Sequence, residues 1–388
     1  MPPERHKTFR LKGRWLLPVV QGGMGIGISA HRLAGTVASL NAVGTISSVD
    51  LRHHHPDLIA RAQGCTDKAK LDELNLIALN REIGRALELS GGRGLIAVNI
   101  MKAVAEQAAY VRTSCEAGAH AIVMGAGLPL DLPDMTRDFP DVLLIPILSD
   151  VRGISVVLKK WLRKNRLPDA IVIEHPRHAG GHLGATRPEQ IADPRFDFKP
   201  VLEGTLALMH ELGLEREAIP LIPAGGINTH EKLCALLDLG ASAVQIGTAF
   251  AVTAEGDAHP NFKHVLADAR PEDIVTFMSV AGLPARAVLT PWLRHYLDRE
   301  KTLQSHAKAD PRRCVPGLGC LTLCGLRDGI AAFGQFCIDT RLAFALKGDV
   351  KKGLFFRGSE SLPFGNAIRS AAELIEYFLT GRMPAALG

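Results

Sequence analysis

Aromatic side chains are scarce in this chain: Phe, Tyr and Trp make up only 5% of 388 residues, with three Trp and three Tyr. Hydrophobic residues still reach 47%, so any large core must be aliphatic. Cysteine is sparse too. Seven in a chain of this length argue against a disulfide-scaffolded fold and fit a reducing cytoplasm. No apolar run reaches the ~18–20 residues that a membrane helix needs. The basic start, MPPERHKTFRLKGR, is followed by no long apolar stretch before Gln21, which argues against a secretory signal. An excess of one charge is also missing: 45 basic against 40 acidic residues leave +5. No dense basic stripe with interleaved aromatics stands out, which argues against nucleic acid as a partner. The modest positive field favours small anions.

What the chain does have is rhythm. Short apolar runs at 17–20, 43–47, 95–101, 121–125, 143–148, 170–174, 219–223 and 243–247 read as strands. They alternate with helical stretches at 31–40, 71–89, 105–117, 153–164, 204–212 and 230–239. That alternation predicts a parallel sheet, and eight such units close most naturally into a barrel, with an open doubly wound sheet as the alternative. The polar stretch 51–74, carrying His53-His54-His55, reads as a solvated insertion after the second strand. Nothing beside it supplies the cysteine or carboxylate spacing of a zinc site. After about residue 270 the alternation stops. Residues 271–297 read as continuing helices, 301–311 as a polar connector, and the tail from Arg312 to Gly388 as helical in patches, at 325–347 and 367–378. The expected architecture is α/β: a (β/α)8 TIM barrel over 1–300 with a C-terminal helical extension, 301–388, that packs on the barrel or covers its mouth.

In such a barrel the loops after the strands gather on one face and carry the chemistry. Here they hold Gln21-Gly22-Gly23-Met24, Asn99, Gly125-Ala126-Gly127, Ser149-Asp150, the stretch from His178 to Gly184, Gly225-Gly226 and Gly247-Thr248. The last two suit a phosphate between strands seven and eight. Their glycines expose backbone N–H groups, a helix start after each loop adds its dipole, and Thr248 adds a hydroxyl. The plainer alternative is that these glycines only turn the chain. Asn99 and Gln245 are amides at the ends of apolar strands, where burial demands partners. A flavin ring edge, with its N–H and C=O groups, would satisfy them, and so would neighbouring barrel backbone. Gly180-Gly181 let a flat ligand approach the main chain. His182, directly behind them, can move a proton at neutral pH and is the candidate catalytic group. His178 and Arg177 are weaker candidates, and Glu174 either anchors the loop or contacts a cofactor. No metal ligand set emerges. The tail cysteines Cys314, Cys320, Cys324 and Cys337 are spaced C-x5-C, C-x3-C and C-x12-C, which matches no compact cluster or zinc motif. Cys324 and Cys337 lie in helical-looking apolar stretches, where free cysteine packs as a small hydrophobe.

At these residues the chain resembles the FMN-dependent nitronate monooxygenases, formerly 2-nitropropane dioxygenases, and their relatives the FMN-dependent enoyl-ACP reductases. The resemblance runs from about Leu17 to Tyr296. It rests on QGGM at 21–24, VNIM at 98–101, AGGHLG at 179–184, IPAGGI at 222–227, VQIGTAF at 244–250 and AHPNFK at 258–263. It implies FMN across the barrel mouth, with Gly22, Gly23 and Met24 near the isoalloxazine and Asn99 on its polar side or ribityl chain. It further implies Gly180 and Gly181 close to the cofactor, His182 facing the substrate, and Gly225, Gly226, Gly247 and Thr248 on the phosphate. The implied activity is oxidative denitrification of alkyl nitronates with O2. The alternative is an NAD(P)H-dependent flavin reductase acting on enoyl thioesters, as activated alkenes, or on quinones. Two features depart from the monooxygenase pattern. QGGM is closer to the reductases than to monooxygenases with a proline after this glutamine, and the tail beyond Arg312 exceeds the minimal family barrel. A homodimer is compatible with such barrels.

Overall fold

Alternation of side chains along short strands builds the molecule from its centre outward. The computed structural model describes residues 8–310, 312, 314 and 320–385. The first half of the basic N-terminal stretch, residues 1–7, and Pro311 of the expected connector lie outside the described residues.

A hairpin of β1 (Phe9–Leu11) and β2 (Arg14–Leu16) comes first. Barrel strands follow: β3 (Val19–Gln21), β4 (Val43–Ser47), β5 (Leu95–Met101), β6 (Ala121–Gly125), β7 (Leu143–Leu148) and β8 (Ile171–Glu174). After β9 (Gly181–His182), which lies outside the barrel, β10 (Leu221–Ala224) and β11 (Val244–Ile246) complete it. The parallel order β10-β11-β3-β4-β5-β6-β7-β8 closes on itself through β10 and β8. The chain is thus a (β/α)8 TIM barrel with a partly helical C-terminal segment. Strands β4 to β7 have the limits their apolar runs predict, and the other four shift by one or two residues. Pro18 delays the first strand to Val19, having no N–H for the ladder. Gly247 ends the last at Ile246 by leaving the extended region.

Side-chain parity sorts two cores. Val20, Val43, Leu95, Ala97, Ala121, Val123, Leu143, Ile145, Val172 and Ile222 fill the barrel, and Phe9, Leu11 and Leu16 of the hairpin plug its lower end. The alternate residues, such as Ile96, Val98, Ile122, Leu144, Ile171 and Val244, face the surrounding helices. One of these helices, Val151–Leu162, shows the pattern. Asp150 caps it by accepting from Gly153 N–H, and it buries Ile154, Val157, Leu158 and Trp161. Each such large side chain contributes ~1.5–3 kcal/mol. Gln21 replaces main-chain pairing where β3 and β4 share only one register pair. Its Oε1 accepts from Thr45 N–H at 2.8 Å and its Nε2 donates to Thr45 O at 3.1 Å.

Five expectations are corrected. The stretch with three histidines is not a solvated loop. It folds as a 3-10 turn (Leu51–His54) and a helix (Pro56–Ala62) before the long helix Lys68–Ser90. His53 Nε2 lies 3.0 Å from Asp50 and His55 Nε2 lies 3.0 Å from Glu82, both buried carboxylates, while His54 Nε2 meets Gly27 O at 2.8 Å. Buried carboxylates need such partners, which draws the run inward. Residues 271–297 do not continue as helices alone. Strands β12 (Ile274–Met278) and β13 (Pro284–Val288) form an antiparallel sheet in the order β12-β13-β9. The helix Pro291–Ser305 then runs through the start of the expected connector. In the tail, the helices are limited to Gly325–Asp328, Ile338–Leu346 and Ala371–Thr380. Cys324 and Cys337 sit at the caps just before the first two rather than inside them.

This sheet and the tail share a further core of Phe277, Val280, Ala287, Leu293, Tyr296, Leu321, Phe336 and Leu354. The last helix returns to the barrel, burying Leu374, Ile375 and Phe378 in the main core.

Candidate active site

Continuing the inward parity one layer above the apolar filling brings Gly22, Ser47, Asn99, Gly125, Ile147, Glu174, Ala224 and Gln245 to the upper mouth. All of them line a cavity of about 600 Å³, within the size range of small-molecule sites. The twelve leading candidates from the sequence line it as well: Gly22, Gly23, Met24, Asn99, Gly180, Gly181, His182, Gly225, Gly226, Gln245, Gly247 and Thr248. His178 and Glu174 join them, whereas Arg177 turns away and donates to Ala192 O at 2.6 Å.

The glycines have distinct steric reasons. A Cβ at Gly23 would lie 2.3 Å from Asn99 Cβ, and one at Gly22 would lie 3.3 Å from Gln245 Cγ. The strand-one loop therefore rests directly on the two amides. Neither amide side chain has a hydrogen bond to another described residue, and Gln245 Oε1 is buried without a partner. They are not consumed by barrel backbone, so they stay available to an occupant. At Gly180 a Cβ would strike the Arg357–Gly358 peptide of the tail, 2.4 Å from Arg357 C. That glycine makes room for the tail.

His182 is not a loop residue. It pairs through β9 with Ala285 of β13, and its ring lies 5.6 Å from that of Phe356. Its Nε2 is 2.9 Å from Ser279 Oγ, which itself accepts from Ala281 N–H. This leaves Nδ1 for whatever enters the cavity. Burial pushes the imidazole pKa down to about 4, so His182 is neutral at pH 7. Glu174 shows the complementary effect. Burial raises its carboxyl to about 7, against the pull of Gly184 N–H and of Arg286. Arg286 staples the intervening loop by donating to the carbonyls of Pro176 and Ala179.

At the other end of the cavity, Gly225 and Gly226 have φ of +100° and +75°, where a side chain is strained. A Cβ at Gly226 would also lie 2.7 Å from His178 Cβ. Helical support for a phosphate is weaker than the sequence suggests: the helix after Gly247, Thr248–Ala251, has four residues. The tail supplies what sequence reasoning missed. Gly358 N–H donates to Thr248 Oγ1 at 3.0 Å, and Ser359 N–H donates to His178 O at 3.1 Å. Glu360 bridges His178 Nδ1 at 3.0 Å and Lys232 Nζ at 2.9 Å. Phe356, Arg357, Gly358, Glu360 and Ser361 all line the cavity. No strand or helix rhythm marks this segment, so sequence offered no signal for it. Cys320 also lines the cavity, its thiol hydrogen-bonded with that of Cys314. The cysteines are free thiols, and among the described residues no group of three or more His, Cys, Asp or Glu is placed to hold a metal ion. No helix of the described residues is long and apolar enough to cross a membrane.

Fold and cavity together define a (β/α)8-barrel enzyme working at the C-terminal mouth of its strands. Comparison with known proteins narrows this: the nitronate monooxygenase family matches residues 12–381, and the chain belongs to that family. A probable nitronate monooxygenase of Bacillus subtilis is 27% identical over 285 residues, 71% of this chain and 77% of that protein. The nitronate monooxygenase of Pseudomonas aeruginosa is 36% identical over 120 residues, 31% of each chain. Among solved structures, FabK from Thermotoga maritima superposes with a TM-score of 0.64 at 21% identity, covering 93% of this chain and 91% of its own. A nitroalkane oxidase from Streptomyces ansochromogenes gives 0.61 at 19% identity, covering 96% and 97%. At those identities the two structures speak for the fold.

Proposed function

We propose that this chain is an FMN-dependent nitronate monooxygenase, converting alkyl nitronates with O2 to carbonyl compounds and nitrite. The observation that carries this reading is one cavity holding a neutral imidazole, His182, together with two amides, Asn99 and Gln245, whose side chains have no hydrogen bond to another of the described residues.

The residues present fit FMN. Gln245 Oε1 is an orphaned buried acceptor, suited to a ring N–H. Gly22, Gly23, Met24, Asn99, Gly180, Gly181 and Gln245 would hold the ring and ribityl side. Gly225, Gly226, Gly247 and Thr248 would hold the phosphate. When bound, FMN supplies the electron transfer between nitronate and O2.

The chain's own part is binding, orientation and proton placement. A nitronate arrives as an anion. With Ser279 donating to Nε2, His182 carries its proton on Nδ1 and donates it as a hydrogen bond to a nitronate oxygen. An anion at that point also favours the imidazolium and strengthens the contact. In the other tautomer Nε2–H donates to Ser279, and Nδ1 is a base able to take the α-proton of a neutral nitroalkane. Leu183, Leu283, Leu321 and Phe356 give this end an apolar wall that keeps water from the reacting atoms.

One feature favours a second reading, the NAD(P)H-dependent reduction of enoyl thioesters or quinones. Gly22 follows Gln21, as in the reductase pattern that the sequence resembles. Anaerobic mixing of the purified protein with an alkyl nitronate separates the two. A change in flavin absorption supports the monooxygenase. An unchanged spectrum that responds instead to NADH or NADPH moves the assignment to the reductase. Protein that is colourless and takes up no added FMN removes both.

A further inference from the structure

Most charged side chains lining the cavity are matched; the exceptions are Glu174, whose carboxyl burial pushes up to about 7, and Arg357. Arg195 lies 3.6 Å from Asp193, Glu360 joins His178 and Lys232, and Asp339 is hydrogen-bonded to Asp50. Arg357 is 3% exposed and has no carboxylate partner among the described residues. Its Nε donates to Leu266 O at 2.8 Å and its Nη1 to Gly358 O at 3.1 Å, both neutral carbonyls. Leu266 belongs to the last turn of the helix Pro260–Ala267, whose C-terminal end offers about half a negative charge. That leaves much of the guanidinium charge unbalanced. Arginine does not escape by losing its proton, and a buried ion without a counter-ion is costly.

The position of this residue says what would balance it. Its neighbour Gly358 bonds Thr248 Oγ1, so Arg357 sits in the strap of tail that crosses the loops with Gly225-Gly226 and Gly247-Thr248. Those loops lack a free cation of their own. Lys232 is engaged by Glu360 and by Gly226 O, and the short helix after Gly247 has little dipole to offer.

We propose that Arg357 is the counter-charge for a phosphate monoester held between these two loops, which makes the C-terminal tail part of the cofactor site. The proposal rests on the FMN reading above and assigns the phosphate to the flavin. The other source of the same chemistry is the 2′-phosphate of NADPH.

FMN and riboflavin differ only in the phosphate, so they form the test. The flavin-stripped protein is titrated with each by flavin fluorescence, as wild type, Arg357→Gln and Arg357→Lys. Arg357→Gln is expected to weaken FMN about 10- to 100-fold, the range of a charge-assisted contact, and to leave riboflavin unchanged. Arg357→Lys, which keeps the charge and a donor for Leu266 O, should fall between, and it keeps the test readable if the Gln variant does not fold. Equal weakening of FMN and riboflavin would show a structural role and overturn the proposal. Unchanged FMN affinity would overturn it too, and a raised KM for NADPH but not for NADH would then place the phosphate on the dinucleotide. Wild type that prefers FMN to riboflavin by nothing sinks the FMN reading of the loops itself, whatever Arg357 does.

Discussion

Replacing Glu174 by Gln is expected to stabilise the ligand-free protein at alkaline pH and to leave it unchanged in acid. Glu174 ends β8 on the inward face, enclosed by the cavity wall. Burial lifts its pKa from the ordinary 4.5 to about 7. The unfolded chain releases this proton near the ordinary value, whereas the folded protein still holds it. Between those two points the folded state binds more protons, so stability falls as pH rises. Below the lower value both states are protonated and the group contributes nothing. Above the upper value its whole cost is present. The gap, 7 − 4.5, is about 2.5 units, and at ~1.36 kcal/mol per unit the cost is about 3 kcal/mol. Gln cannot ionise, yet it keeps an oxygen for Gly184 N–H. The stability difference between variant and wild type should therefore be near zero at about pH 4 and grow to about 3 kcal/mol by about pH 8.5. Urea denaturation of the flavin-stripped proteins, followed by tryptophan fluorescence across that range, measures it. Parallel curves for the two proteins would refute the reasoning. They would mean that Arg286 and Gly184 hold the carboxylate ionised despite burial.

Two further changes test the site and the tail. His182→Ala should lower turnover about 10²- to 10⁴-fold with flavin still bound; loss of flavin together with activity, seen in the absorption spectrum of the purified variant, contradicts a role facing the substrate. Deleting the chain from Arg312 onward strips Leu354 from the core that the tail shares with the β12-β13-β9 sheet and Phe378 from the main one, and it should leave protein that aggregates on gel filtration. A soluble, active truncation would show that the tail neither completes the core nor shapes the cavity.

The parts of the fold legible in the sequence were those whose signal is local. Leu95–Met101 and Leu143–Leu148 are apolar runs cut off by turn residues, and parity along them fixes which side chains face inward. The strand-end amides Asn99 and Gln245 stood out for the same reason: a polar group on an inward position is an exception to the run. What escaped depends on partners distant in sequence. Ile274–Met278 is short and its faces are only half-buried. Pro284 opens its neighbour, a position that suits an edge or a strand start. A turn with Gly282 at φ +72° between them was the available hairpin signal. Of the inward histidines, His55 answers to Glu82, and nothing near it in sequence announces that Glu82, in the middle of a helix, is buried.

The site therefore has two makers with different physics. The barrel contributes precise spacing: glycines that let the strand-one loop lie on Asn99 and Gln245, and positive-φ turns that open N–H groups at Gly225 and Gly226. It contributes little charge, because His182 is neutral, Glu174 is neutral over much of the range below pH 7, and Lys232 is spent on Glu360. The segments after the barrel contribute rigidity and charge. Ser279 and the β9–β13 pairing hold His182 in one orientation, and Arg357, which has no carboxylate partner among the described residues, lines the cavity too. The proposed FMN, with its negative charge at one end and its reacting ring at the other, would suit this division of labour. The family match running on to residue 381 fits a tail that belongs to the working enzyme.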